Sequence, residues 1–88
     1  MKIYVLSYGE SDDSSVSIHD PEVYKSIGAV DSAVEEIVKD ARERFSDAVV
    51  YDDTIAKPYS RNVQVRSCEN VLQDGEYVME INVKEFDV

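Results

Sequence analysis

Read at helical spacing, residues 32 to 48 separate into two stripes. Val34, Ile37, Val38, Ala41, Phe45 and Ala48 fall on one side, while Glu36, Asp40, Glu43 and Asp47 fall on the other. Apolar residues at i, i+3 and i+4 over about four turns predict an amphipathic helix with one buried face. Ser32 and Glu35 match the S-x-x-E capping box, so the helix is expected to begin near Ser32. Its end stays open: Ala48 and Val49 continue the stripe, but the chain could break at Ser46-Asp47 and turn into a strand.

Before the helix the pattern is extended. Lys2 to Tyr8 alternates Ile3, Val5 and Ser7 with Tyr4, Leu6 and Tyr8; both sets are largely apolar, which predicts a central strand buried on both faces. Gly9 to Ser15 is a polar stretch expected to be a loop, Val16 to His19 a short second strand, and Asp20-Pro21 a turn. Val23 to Val30 reads as an extended lead-in with Gly28 at a bulge or close approach. A short helix from Pro21 to Ser26 is the alternative.

After the helix, Asp52 to Arg61, with Pro58, reads as an irregular connection. Asn62 to Leu72 and Glu76 to Val88 then form a hairpin around Asp74-Gly75. A two-residue turn there would pair Leu72 with Tyr77, Cys68 with Ile81, Val65 with Lys84 and Val63 with Phe86. That register divides the apolar residues. Leu72, Cys68, Tyr77, Met79 and Ile81 share one face near the turn, and Val63, Val65, Phe86 and Val88 share the opposite face near the open end. A regular hairpin cannot send both sets to one core. A bulge between Arg66 and Asn70, or a second copy of the chain covering the other face, would resolve the conflict. The whole predicts a single α+β domain over residues 1–88, with one helix on a mainly antiparallel sheet and a C-terminal β-hairpin.

Composition narrows the function. Nineteen acids against nine bases give a formal net charge of −10. Such a chain repels nucleic acid and anionic membrane surfaces, so direct binding to either is not expected. No run is long and apolar enough for a membrane span or a signal peptide. The single cysteine, Cys68, permits no internal disulfide and is expected to be a buried free thiol. The expectation from these features is a cytoplasmic protein.

Candidate chemistry is sparse. The only histidine, His19, lies beside a turn, and no nucleophile or orienting group is brought to it by the sequence. One His and one Cys cannot make a structural zinc site. Glu10, Asp12 and Asp13 lack the spacing of a calcium loop, and three isolated glycines form no phosphate cradle. The expectation is a non-enzymatic protein without metal or cofactor. Six tyrosines against two phenylalanines favour contact area with a polar handle, which places Tyr51 and Tyr59 among the candidate interface residues.

The acidic stripe is the most specific feature. At 100° per residue, positions 36, 40, 43 and 47 lie within an arc of roughly 60°, along about 16 Å of axis. Glu36–Asp40 and Glu43–Asp47 are like-charged i, i+4 pairs, each costing about 0.2–0.5 kcal/mol, while Glu35–Lys39 and Asp40–Arg44 offset them. A row of carboxylates resembles a row of phosphates, and a basic groove built for DNA would attract it. A solvated helix face is the plain alternative.

With its abrupt strand start MKIYVLSYG, short length and acidic helix EEIVKDARERFSD, the chain resembles the small acidic proteins of bacteriophages. That resemblance implies inhibition of host proteins, DNA mimicry among the modes, and action in the host cytoplasm. The expected function is inhibition or regulation of a basic, DNA-binding protein through Glu36, Asp40, Glu43 and Asp47, with Asp12, Asp13, Asp52 and Asp53 extending the surface. The competing expectation is a small assembly domain that forms a homodimer and is acidic only for solubility. Mimicry needs the acids on one continuous face; the assembly reading lets them scatter.

Overall fold

A computed structural model of the chain describes residues 1–11, 15–67 and 77–88. Its elements run β1 (Lys2–Ser11), β2 (Val16–Ile18), β3 (Glu22–Tyr24), α1 (Ile27–Arg44), β4 (Val49–Ala56), β5 (Tyr59–Ser67) and β6 (Tyr77–Asp87). One helix lies on an antiparallel sheet ordered β2-β1-β6-β5-β4, with β3 also pairing β1. The fold class is α+β, as the pattern of elements predicts. Among the described residues no helix is long and apolar enough to cross a membrane.

The register of β5 on β6 removes the conflict in the apolar pattern. Ser67 stands opposite Tyr77, Val65 opposite Met79 and Val63 opposite Ile81. Relative to a two-residue turn at Asp74-Gly75, the pairing has moved by five positions. An odd shift exchanges faces, because side chains alternate with period two. Val63, Val65, Tyr77, Met79, Ile81 and Val83 therefore share one face and are all buried. Neither the expected pairing nor a second copy is needed to bury them. The Asp74-Gly75 turn, Leu72 and Cys68 lie outside the described residues, as does most of the proposed bulge region.

The helix begins six residues, nearly two turns, earlier than the capping box suggests. The Ser26 hydroxyl accepts from the Ala29 backbone amide at 3.1 Å, so Ser26 is the N-cap and Ser32 an exposed interior residue. Val30, fully buried, extends the stripe of Val34, Val38 and Ala41 by one turn. Gly28 is helical, and a methyl group there would meet nothing within 4 Å, so it marks neither bulge nor close approach. Ordinary capping and packing, nearly two turns upstream, outweigh the coincidental S-x-x-E match. At the other end Phe45 caps the helix through its amide to Ala41 O, Ser46-Asp47 turns, and residues 49–51 are strand.

Three further expectations are corrected. The stretch from Asp52 to Arg61 is not irregular: β4 and β5 form a hairpin turning at Lys57-Pro58, with Val49 opposite Arg66 and Ala56 opposite Tyr59. Pro58 sits in the turn, where a missing amide costs no ladder bond. The polar stretch after Gly9 is strand as far as Ser11, because Gly9, Glu10 and Ser11 pair with both β2 and β6. And β1, although central, is covered on one face only: Tyr4 and Leu6 are buried under the helix, while Ile3 and Val5 on the other face are partly exposed.

The β2–β3 edge is one strand broken in the middle. Leu6 faces Glu22 and Gly9 faces Ile18, so His19, Asp20 and Pro21 stand opposite only Ser7 and Tyr8. The extra residue is a bulge, and it puts Pro21 where no ladder amide is required. This bulge aims His19 at the helix side of the sheet, where its ring stacks on Tyr8 with centroids 3.9 Å apart.

The two candidate caps separate cleanly in a thermal melt. Ser26→Ala should lower stability by about 1 kcal/mol, while Ser32→Ala should leave it unchanged or raise it slightly. The reverse order would place the helix start at Ser32.

Candidate functional site

Val30, Val34, Val38 and Ala41 face the sheet, so the opposite side of α1 presents Ser32, Glu36, Lys39, Asp40 and Glu43 to solvent. Glu36 and Glu43 have no partner among the described residues. Asp40 makes an i, i+4 pair with Arg44 at 3.4 Å. Asp47 lies beyond the helix end and accepts a hydrogen bond from the Ser67 hydroxyl, so it does not continue the row as a helical residue. Asp52 lies on the helix side of edge strand β4, gripped by Arg61, whereas Tyr51 and Asp53 project from the opposite face of the sheet. Asp12 and Asp13 lie outside the described residues.

Tyr59 is a correction. It is 6% exposed, packs edge-to-face on Tyr4 at 5.9 Å, and donates its hydroxyl hydrogen bond to Asp31. Its ring belongs to the core and offers no surface to a partner. The acidic residues named from the sequence therefore do not form one continuous face: the helix ridge of Glu36, Asp40 and Glu43 stands apart from Asp53.

Two arginine clusters fasten the ridge to the sheet. Near the helix start, Arg61 of β5 is 11% exposed at its side chain and reaches three carboxylates: Asp31 at 3.1 Å, Glu35 at 2.9 Å and Asp52 at 2.6 Å. The Arg61 guanidinium holds the Asp52 carboxyl below its ordinary range. Burial and the neighbouring Asp31 push the Tyr59 hydroxyl up to about 12. Near the helix end, Arg44 donates to Glu10 of β1 at 2.8 Å and to the Tyr77 hydroxyl at 3.1 Å. Tyr77 donates to the same Glu10 oxygen and stacks on Phe45 with centroids 4.4 Å apart. His19 Nε2 lies 2.8 Å from the other Glu10 oxygen. Burial alone would push the Glu10 carboxyl up. Hydrogen bonds from Tyr77, Arg44 and His19 outweigh it and hold the group at about 2.

Between ridge and sheet the second cluster leaves a hollow of about 280 Å³, lined by Tyr8, Glu10, His19, Glu36, Ile37, Asp40, Arg44 and Met79. Its ionic content is three carboxylates against one guanidinium, with the stacked Tyr8–His19 pair on the sheet side. An acidic hollow with an aromatic wall suits the side chain of an arginine or lysine from another molecule. Sequence reasoning missed this grouping. Glu10 and His19 are adjacent only because β1 and the bulged edge strand are paired, and both lie far from Arg44 in the chain. The alternation of Tyr8 and Glu10 with Gly9 was the one available signal.

The Glu10 cluster should dominate acid stability. An unfolded Glu titrates near 4.5, and the folded Glu10 near 2. Its stabilising contribution is therefore complete above about 4.5 and is lost as pH falls towards 2. Glu10→Gln should melt lower than the parent at pH 7, and the gap should narrow steadily in melts between pH 4.5 and pH 2. A constant gap would show that the carboxylate charge contributes nothing.

Searches with family models, among curated proteins and among solved structures find no match to this chain.

Proposed function

We propose that the protein is a non-enzymatic binding domain that inhibits or regulates a basic protein, of the kind that handles nucleic acid, by presenting the carboxylates of α1 in place of phosphates. Because Asp53 lies on the other face of the sheet, the acids do not form the extended face expected from the sequence, and the reading rests on the shorter ridge of Glu36, Asp40 and Glu43 and on the acidic hollow at its foot. Glu36 and Asp40 border it from the helix and Glu10 from the sheet. A cationic side chain entering it would meet the unpaired Glu36 first and would share Asp40 and Glu10 with Arg44, while Glu43 continues the ridge one turn away.

Preorganisation supports the same reading. The helix is held near both ends by arginine clusters, so the ridge does not have to be ordered when a partner arrives, and the entropic cost of association falls. The formal net charge of −10 steers a basic partner from a distance and repels DNA itself. In the phage setting that the sequence resembles, the partner would be a host protein in the host cytoplasm. Tyr59 has no part in this surface, and Tyr51 and Asp53 belong to the other face.

Reversal of Glu36, Asp40 and Glu43 to lysine tests the proposal. All three side chains are exposed and the buried stripe is untouched, so the circular dichroism spectrum should match the parent. On immobilised parent protein, basic proteins captured from a bacterial lysate should elute with rising salt and should compete with duplex DNA. Their affinity for the triple variant should be lower by about a hundredfold or more. Equal capture by the folded variant would reduce the ridge to a solvated face.

A further inference from the structure

The second face of the sheet carries its own information. Strand alternation sends Val16, Ile18 and Val23 to one margin of this face and Val49, Tyr51 and Ile55 to the other. All six are more than half exposed, with Ile18 at 84%. Among the described residues nothing packs over them. Between the margins one end of the face is apolar, with Ile3, Val5 and Phe86, and the rest is polar and bonded within itself: Asn62 donates to Asn82 at 2.8 Å and Gln64 to Glu80 at 3.1 Å.

The charge on this face sets it apart from the rest of the chain. The charged side chains that its described strands send to it are Asp53, Glu80, Arg66 and Lys84, two acids and two bases, in a protein of formal net charge −10. On the helix side a second copy would meet the acidic ridge of Glu36, Asp40 and Glu43. Here it would not. The face spans five strand positions at about 4.8 Å and about ten residues at 3.3 Å, a footprint of roughly 700 Å². That is close to the 800 Å² or so that each partner contributes to a standard interface.

We infer that the helix-free face is the interface of a homodimer, in which two sheets stack face to face and the helices lie outermost. The layout of the face suits a two-fold. A two-fold axis along the strands places the β2–β3 margin of one copy over the β4 margin of the other; an axis across the strands places each margin over itself. In both arrangements apolar margins cover apolar margins, and the central strands of the two copies meet. The occupant is a second copy and not a basic partner, because a neutral face has no preference for cations. The α1 ridge stays exposed in the dimer, so this inference is independent of the proposed function.

Sedimentation equilibrium of the full chain across a concentration series tests it. A monomer has a mass of 10.0 kDa, and the expected species is twice that. Raising the salt should strengthen the dimer, since it screens the residual repulsion between two acidic copies; binding through the α1 ridge should respond in the opposite direction. Ile18→Glu combined with Ile55→Glu alters two exposed edge-strand residues and should raise the dimer dissociation constant by about a hundredfold or more, with an unchanged circular dichroism spectrum. The Glu36, Asp40 and Glu43 lysine variant should dimerise at least as well as the parent. A parent that stays monomeric up to about 1 mM overturns the inference, including the case in which the face binds only some other protein. A dimer that survives the Ile18/Ile55 variant also overturns it, and would point instead to pairing through the exposed β4 edge.

Discussion

A single helix can cover only one face of a five-strand-wide sheet, and the rest of the structure follows from that constraint. Every strand must send its apolar residues to the α1 side, so the β5–β6 register is locked by parity: slipping β5 by one position on β6 would turn Val63 and Val65 away from the helix while Met79 and Ile81 stay beneath it. Each such side chain is worth about 1.5–3 kcal/mol when buried, so the slipped state is heavily disfavoured. The same constraint leaves the other face without cover among the described residues. Its apolar margins and balanced charge are what remains when a small domain spends its one helix on a single side.

The core under that helix is narrow, and tyrosines carry part of the load that larger domains give to leucine. Tyr4, Tyr59 and Tyr77 bury their rings, and Tyr59 and Tyr77 hand their hydroxyls to carboxylates that an arginine already holds. Each arginine thus bridges helix and sheet at the rim of the core. Arg61 joins α1 to β4 and β5, and Arg44 joins α1 to β1 and, through Tyr77, to β6. Much of the tyrosine content therefore serves the junction between core and surface instead of a partner.

Local patterns carried the class of fold in the sequence, and pairings carried the rest. The stripe from Val34 to Phe45 marked the helix, and the alternation in Lys2 to Tyr8 and Val16 to Ile18 marked strands, because each signal is written within one element. The helix start was obscured by a chance Ser32–Glu35 spacing and by Gly28, which reads as a breaker although the helix tolerates it in its first turn. Strand β4 was hidden by Asp52 and Asp53, whose polarity on an edge strand looks like a loop until Arg61 and the β5 pairing are known. The Glu36–Asp40–Glu43 ridge was legible from helical spacing. The Glu10–His19 side of the hollow was not, because a bulge and a cross-sheet pairing bring it together.

Strands β1 and β6 lie side by side at the heart of the sheet, matched from Lys2 with Asp87 to Ser11 with Val78. They are separated in the chain by every other element. During synthesis β1 emerges first and must wait, with Tyr4 and Leu6 uncovered, until β6 has left the ribosome. The β4–β5 hairpin can close meanwhile, but the sheet has no centre until β6 slots between β5 and β1. Such non-local closure makes folding slow for a chain of this size, since the entropy of the long loop is lost before its contacts are gained. The high density of acidic charge then acquires a kinetic meaning: mutual repulsion opposes association of incomplete copies while their apolar strands are unpaired.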